Sequence, residues 1–140
     1  MGRIGLLLLS MCFTVQALAA GAVDVSGTAV NYNAFMSNFL SPAITEKYGL
    51  QRSPHLGALN INLSRAEQKI ASTVSGTYRE VGDKKAKPLT FKQVINDNGA
   101  IDYFAQFPVK PSQVYVFDIQ LKINGETKDI EFSQEIAPIQ

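Results

Sequence analysis

Apolar residues recur at every second position along most of this chain. That is the strand period, because successive side chains of an extended backbone point to opposite faces. Ala29 to Met36 sets Val30, Tyr32, Ala34 and Met36 against Asn31, Asn33 and Phe35. Leu56 to Leu63 ends with Leu59, Ile61 and Leu63 against Asn60 and Asn62. Ile70 to Tyr78, Leu89 to Ile95, Ile101 to Phe107, Tyr115 to Ile123 and Lys128 to Ile136 also read as strands. Gly76, inside one of them, suggests a bulge.

One segment departs from this period. Ser41 is a good N-cap and Pro42 suits a first helical position, where its missing N–H is harmless. Gly49 can end the helix in a left-handed conformation. The result is a two-turn helix, Pro42 to Tyr48, with Ile44 and Tyr48 four apart on one face.

Two hairpins can be tested for register. Asn124-Gly125 is a strong type I′ signal. A two-residue turn there pairs Ile123 with Glu126, Leu121 with Lys128, Ile119 with Ile130 and Phe117 with Phe132. The apolar residues of both strands then share a face, and a one-residue slip would destroy that agreement. Around Asp97-Asn98-Gly99 a three-residue loop sets Ile95 against Ile101, Phe91 against Ala105 and Leu89 against Phe107, with Gly99 left-handed. Short strands, frequent turns and one helix define an all-β chain. We expect an antiparallel, immunoglobulin-like β-sandwich of about seven or eight strands with one short helix at Pro42 to Tyr48. A partly closed barrel is the alternative. The cysteine and tryptophan markers of antibody domains are absent from the strands.

The N-terminus carries a different signal. Arg3, the apolar run from Ile4 to Val15 and the small residues of Ala17-Leu18-Ala19 form the three-part layout of a secretory signal peptide. The expected organisation is a cleaved signal over residues 1–19 and one domain over residues 20–140, with cuts near Ala20 or Ala22 as alternatives. The apolar run is too short to span a bilayer, which takes roughly 20 apolar residues. A periplasmic protein is expected, or an extracellular one, with no stable membrane insertion once the signal is removed. The single cysteine, Cys12, lies within the signal, so the mature domain has no disulfide and no thiolate metal ligand. Met11 before Cys12 makes a poor lipoprotein signal. Losing the signal removes Arg3 and no acid, leaving 12 basic and 12 acidic residues. That balance argues against nucleic acid or an anionic membrane as a charge-driven partner. Lys84-Lys85-Ala86-Lys87 reads as a solvated hairpin tip.

Tyr32-Asn33-Ala34-Phe35-Met36-Ser37-Asn38-Phe39-Leu40-Ser41-Pro42, followed by Tyr48-Gly49-Leu50-Gln51-Arg52-Ser53, resembles the opening of a family of proteobacterial exported proteins, domain of unknown function DUF4426. Val74-Ser75-Gly76-Thr77, Ala105-Gln106-Phe107-Pro108 and Phe117-Asp118-Ile119 resemble later parts of the same pattern. The resemblance covers essentially the whole mature chain. It implies a secreted or periplasmic single domain and carries no assigned activity.

The residues offer little catalytic chemistry. Activating a nucleophile takes a base and usually a third group that orients it. The chain has one histidine, His55, and no serine elbow, Ser-x-x-Lys or His-Glu-x-x-His pattern. No cofactor motif is present. The Ile119–Ile130 register sets Asp118 opposite Glu131 on the other face, with Gln120 opposite Asp129. This pair is a weak candidate for a cation site, and a solvated face explains it more simply. The best recognition candidate is the loop carrying Tyr48, Arg52, Ser53 and His55: a guanidinium fork, an amphipathic ring and a hydroxyl between a helix and a strand. Its alternative role is structural, with Tyr48 stapling the helix to the sheet and Arg52 pinning a loop carbonyl. Asn31, Asn33, Asn60 and Asn62 would make an amide-rich surface suited to sugar hydroxyls if their strands were neighbours.

These observations point to a non-enzymatic periplasmic interaction or binding module. It would contact an envelope protein or small ligand through the Tyr48 to His55 loop or a sheet edge. A small-ligand carrier, apolar or carbohydrate, is the second reading, with Phe35, Phe39, Phe104 and Phe107 feeding a pocket between the sheets. A hydrolase using Asp118 and Glu131 comes last, because adjacent positions on an open sheet make no substrate cleft.

Overall fold

A computed structural model of the protein describes residues 20–65 and 69–137. The segment read as a signal peptide lies outside the described residues. Nine strands, one 3-10 turn and one α-helix follow one another as β1 (Ala20–Val25), β2 (Thr28–Met36), the 3-10 turn Ser37–Phe39, α1 (Pro42–Tyr48), β3 (Leu56–Ser64), β4 (Ser72–Glu80), β5 (Lys87–Pro88), β6 (Lys92–Ile95), β7 (Ile101–Pro108), β8 (Gln113–Ile123) and β9 (Glu126–Ile136). They form two antiparallel sheets. One has the order β1-β2-β3-β7-β6, here sheet A, and the other β5-β4-β8-β9, here sheet B. With β2, β3, β7 and β6 as strands A, B, E and D, and β4, β8 and β9 as C, F and G, this is the immunoglobulin-type strand order. β1 and β5 are additions at the edges.

The β8–β9 register is the one that Asn124-Gly125 dictates: Ile123 faces Glu126, Ile119 faces Ile130 and Phe117 faces Phe132. Asn124 and Gly125 have φ of 49° and 87°, the mirror-image turn geometry that matches strand twist. The Asp97–Gly99 loop also has the expected length, since Asn96 and Ala100 pair across it and Ile95 faces Ile101. α1 begins at Ser41, whose hydroxyl accepts the Ile44 N–H at 3.1 Å, and ends at left-handed Gly49.

Three details differ from the sequence reading. Leu89 to Ile95 is not one strand. β5 pairs with β4, the Leu89 N–H reaches the Gly76 carbonyl at 2.9 Å, and β6 then crosses to pair with β7. Phe91 and Leu89 therefore do not pair with Ala105 and Phe107: the Leu89 N–H is used on the β4 side, and the chain changes sheets between Pro88 and Lys92. Gly76 is no bulge, because the β4–β8 register runs unbroken past it. A Cβ at Gly76 would stand 2.5 Å from the Asp118 carbonyl oxygen, so close strand approach is what demands glycine. β1 is an extra strand, joined to β2 by a Ser26-Gly27 turn with both φ values positive.

The sheets meet over a chain of aromatic rings. Tyr32 packs on Phe132 at 4.6 Å between centroids, Phe132 on Phe117 at 5.0 Å, Phe117 on Phe107 at 5.2 Å and Phe107 on Tyr78 at 5.1 Å. Each fully buried ring or aliphatic side chain contributes about 1.5–3 kcal/mol. Tyr115 closes the β7–β8 corner: it is buried near the start of β8, and its hydroxyl accepts the Lys110 N–H at 2.9 Å. This is the tyrosine corner of immunoglobulin-type sandwiches.

Candidate ligand-binding face

The link between β2 and β3, residues 37–55, folds back over one end of the outer face of sheet A. Several contacts hold it there. Tyr48 stacks on Phe104 of β7, with centroids 5.9 Å apart and planes 29° apart. The Gln106 amide grips the backbone of Gln51 twice, accepting its N–H at 3.0 Å and donating to its carbonyl at 2.7 Å. Lys92 donates to the Tyr48 carbonyl at 2.7 Å, a cation at a helix C-terminus, where the dipole favours it. Ser37 and Ser53 exchange two hydrogen bonds across the base of the link. The guanidinium of Arg52 donates to the Leu40 carbonyl at 2.7 Å and the Asn38 carbonyl at 3.1 Å, fastening the loop to itself.

Beyond the link the same face is polar. β2 and β3 are neighbours, with Asn31 opposite Asn62 and Asn33 opposite Asn60. Asp102 of β7 lies opposite Asn62. Its Oδ1 accepts amide N–H bonds from Asn60 at 3.2 Å and Asn62 at 2.9 Å, and its Oδ2 accepts one from Asn96 at 3.0 Å. One carboxylate thus orients three carboxamides from β3 and the β6–β7 turn. Each amide keeps its carbonyl oxygen for other donors. Asn31 and Asn33 are exposed, and their amides make no hydrogen bond among the described residues. Phe35, on the same face of β2, meets Phe39 edge to face at 6.3 Å, and the Phe39 ring is 62% exposed. Hydrogen-bonding amides, a fixed carboxylate and an exposed ring thus lie together on a rigid sheet.

Of the loop residues singled out from the sequence, Tyr48, Arg52 and Ser53 are engaged within the fold as just described. His55 is exposed, and its carbonyl accepts the Val109 N–H at 3.0 Å. Asp118 faces Glu131 across β8 and β9, in the register the hairpin requires. Asp129, one pair further along, does not join them in any group of three that could hold a metal ion, among the described residues. The four phenylalanines assigned to a pocket between the sheets do not converge. Phe107 lies in the core, Phe104 lies under Tyr48 on the outer face, and Phe35 and Phe39 face outward. Phe104 and Phe107 are an odd number of positions apart, so a strand sends them to opposite faces. Asp102, Asn96 and Gln106 were not visible as site residues in the sequence. Only the strand order brings them beside Asn60, Asn62 and Gln51.

The architecture is thus that of an immunoglobulin-like sandwich with a helical strap locked onto one sheet. A sequence profile for Domain of unknown function (DUF4426) matches residues 22–137, and the chain belongs to that family. It is similar to a solved DUF4426 family protein from Pseudomonas aeruginosa PAO1, with 30% identity and a TM-score of 0.71. The match covers 87% of this chain and 98% of that one. No curated protein matches the chain. No helix among the described residues is long and apolar enough to cross a membrane.

Proposed function

We propose that this protein is an exported, non-enzymatic binding module that holds an uncharged, polyhydroxylated ligand of carbohydrate type on the outer face of sheet A. The observation that carries this reading is the Asp102 carboxylate gripped by three amides beside the free amides of Asn31 and Asn33. A vicinal diol offers one donor and two acceptor lone pairs at each hydroxyl. Side-chain amides and carboxylates fixed on a sheet match that pattern with little ordering cost on binding. The Phe35–Phe39 pair supplies an apolar face of the kind a sugar ring packs against. The strap forms a wall, and Arg52 positions it. Export is supported by the signal-like leader: Arg3, the apolar run Ile4 to Val15 and Ala17-Leu18-Ala19.

Isothermal titration with two neutral probes, maltohexaose and the hexamer of N-acetylglucosamine, tests this. Saturable binding of at least one is expected, weakened about tenfold in an Asn31→Ala/Asn33→Ala double variant by loss of two ligand hydrogen bonds. Both positions are exposed, so the variant keeps the fold. Binding of neither probe, or equal binding by the variant, would overturn the assignment.

A further inference from the structure

A second, separate site lies at the end of the sandwich where β4 meets β5. A cleft of about 210 Å³ opens there, floored by Tyr78, Pro108 and Val109 and rimmed by Lys85, Lys87 and Lys110. Lys87 is the cross-strand partner of Tyr78, so the two side chains leave the sheet on the same face. The lining holds four cations, with Arg79 the fourth, against two carboxylates, Glu80 and Asp83.

The carboxylates are already engaged. Glu80 takes the Lys110 ammonium at 3.4 Å on one oxygen and the Gln113 amide at 2.8 Å on the other. Asp83 accepts the Lys85 backbone N–H at 3.3 Å. The ammonium groups of Lys85 and Lys87 have no partner among the described residues. The chain as a whole is nearly neutral, so this imbalance is local.

Tyr78 supplies the second observation. It is 9% exposed, and its hydroxyl makes no hydrogen bond among the described residues. The other two tyrosines of the interior behave differently: Tyr103 bonds Ser72 and Gln93, and Tyr115 takes the Lys110 N–H. The Tyr78 oxygen is not a sealed polar atom either, so it meets solvent at the cleft that the residue lines. A phenol that no protein group engages at the base of a cleft can exchange water for a ligand acceptor.

We propose that this cleft binds a phosphoryl group, with the Tyr78 hydroxyl donating to one oxygen and Lys85 and Lys87 neutralising the charge. Pro108 and Val109 would receive the apolar part of the molecule that carries it. Burial raises the pKa of Tyr78 above the usual phenol value, so the hydroxyl keeps the proton it would donate. The group could belong to a free phosphate monoester or to a phospholipid headgroup; both present anionic phosphoryl oxygens, three on the monoester and two on the singly charged diester.

The test uses the chain from Ala20 onward, glycerol 1-phosphate with glycerol as control, and vesicles of phosphatidylglycerol with phosphatidylcholine as control. NMR titration with glycerol 1-phosphate should shift the backbone amides of Tyr78, Lys85 and Val109 saturably, and glycerol should not. Tyr78→Phe should weaken binding about tenfold, the size expected for one hydrogen bond to a charged group. Lys85→Gln/Lys87→Gln, both exposed, should weaken it at least as much and flatten its salt dependence. Binding of glycerol 1-phosphate without vesicle binding assigns a free monoester. Co-sedimentation with phosphatidylglycerol alone, lost in the lysine variant, assigns a headgroup. Binding to neither, or binding that both variants retain in full, would overturn the proposal.

Discussion

The two outer faces of this sandwich carry similar side chains and treat them differently. On sheet A, Asp102 holds three amides at 2.9–3.2 Å, and a helical strap covers the neighbouring rows. On sheet B, Asp118 faces Glu131 and Gln120 faces Asp129 with no side-chain hydrogen bond among the described residues, and Gln120, Asp129 and Glu131 are exposed. Both faces are polar by alternation. Only one is organised, because a carboxylate there meets donors instead of another carboxylate. Composition alone therefore does not distinguish an organised polar face from a solvated one. Cross-strand pairing does.

Substitution can break this contrast at matched positions. The largest effect is expected at the ring that seats the strap. Phe104 is 7% exposed although it points outward, and Phe104→Ala should cost about 3 kcal/mol in chemical denaturation. Thr77→Ala, on the outer face of sheet B, should cost under about 0.5 kcal/mol. Equal losses would mean that the strap is not part of the folded core. Next comes Asp102→Ala, which leaves the Asn62 amide without its acceptor and Asn60 and Asn96 with one backbone carbonyl each, and should cost about 1–2 kcal/mol. Glu131→Ala should be neutral or slightly stabilising, because it relieves a like-charge pair. Arg52→Ala should change global stability little, since the side chain is exposed. Amide hydrogen exchange between residues 38 and 53 should nevertheless rise, because the guanidinium ties the Leu40 and Asn38 carbonyls. Unchanged exchange would leave Arg52 free for direct ligand contact. The smallest effect is expected for Asp118→Asn, a gain of a few tenths of a kcal/mol that disappears in high salt.

Local physics made much of the fold legible. Asn124-Gly125 forced one register, Ser41-Pro42 and Gly49 bracketed α1, and strand alternation separated inner from outer residues. The failures share a cause. Leu89 to Ile95 looked like one strand because Leu89, Phe91 and Ile95 share a period of two, yet the chain changes sheets between Pro88 and Lys92. β1 was missed because Ala20-Gly21-Ala22-Val23 is small and barely alternates, and Gly21 is required where the Tyr32 ring lies on the strand. The candidate site was half legible. The four asparagines were readable as a polar stripe, conditional on their strands being neighbours. Asp102 and Asn96, which organise that stripe, lie some 40 residues away in sequence from Asn60 and Asn62, and only the β3–β7 pairing brings them in. Arg52 was visible as an unusual loop cation. That it could pin a loop carbonyl was readable as its structural role; which carbonyls, those of Leu40 and Asn38, depends on how the link folds.

Sheet A presents fixed polar groups and sheet B does not. Side-chain amide relaxation by NMR measures this directly. The carboxamide groups of Asn60, Asn62 and Asn96 should give order parameters near those of rigid backbone, about 0.85, while Gln120 on sheet B should fall below about 0.6. Asp102→Ala should drop Asn62 to the Gln120 range and lower Asn60 and Asn96 less, because each keeps a backbone carbonyl. Equally low values for all four amides in the unsubstituted protein would contradict the account, because the proposed binding face would then be as fluid as the face opposite it.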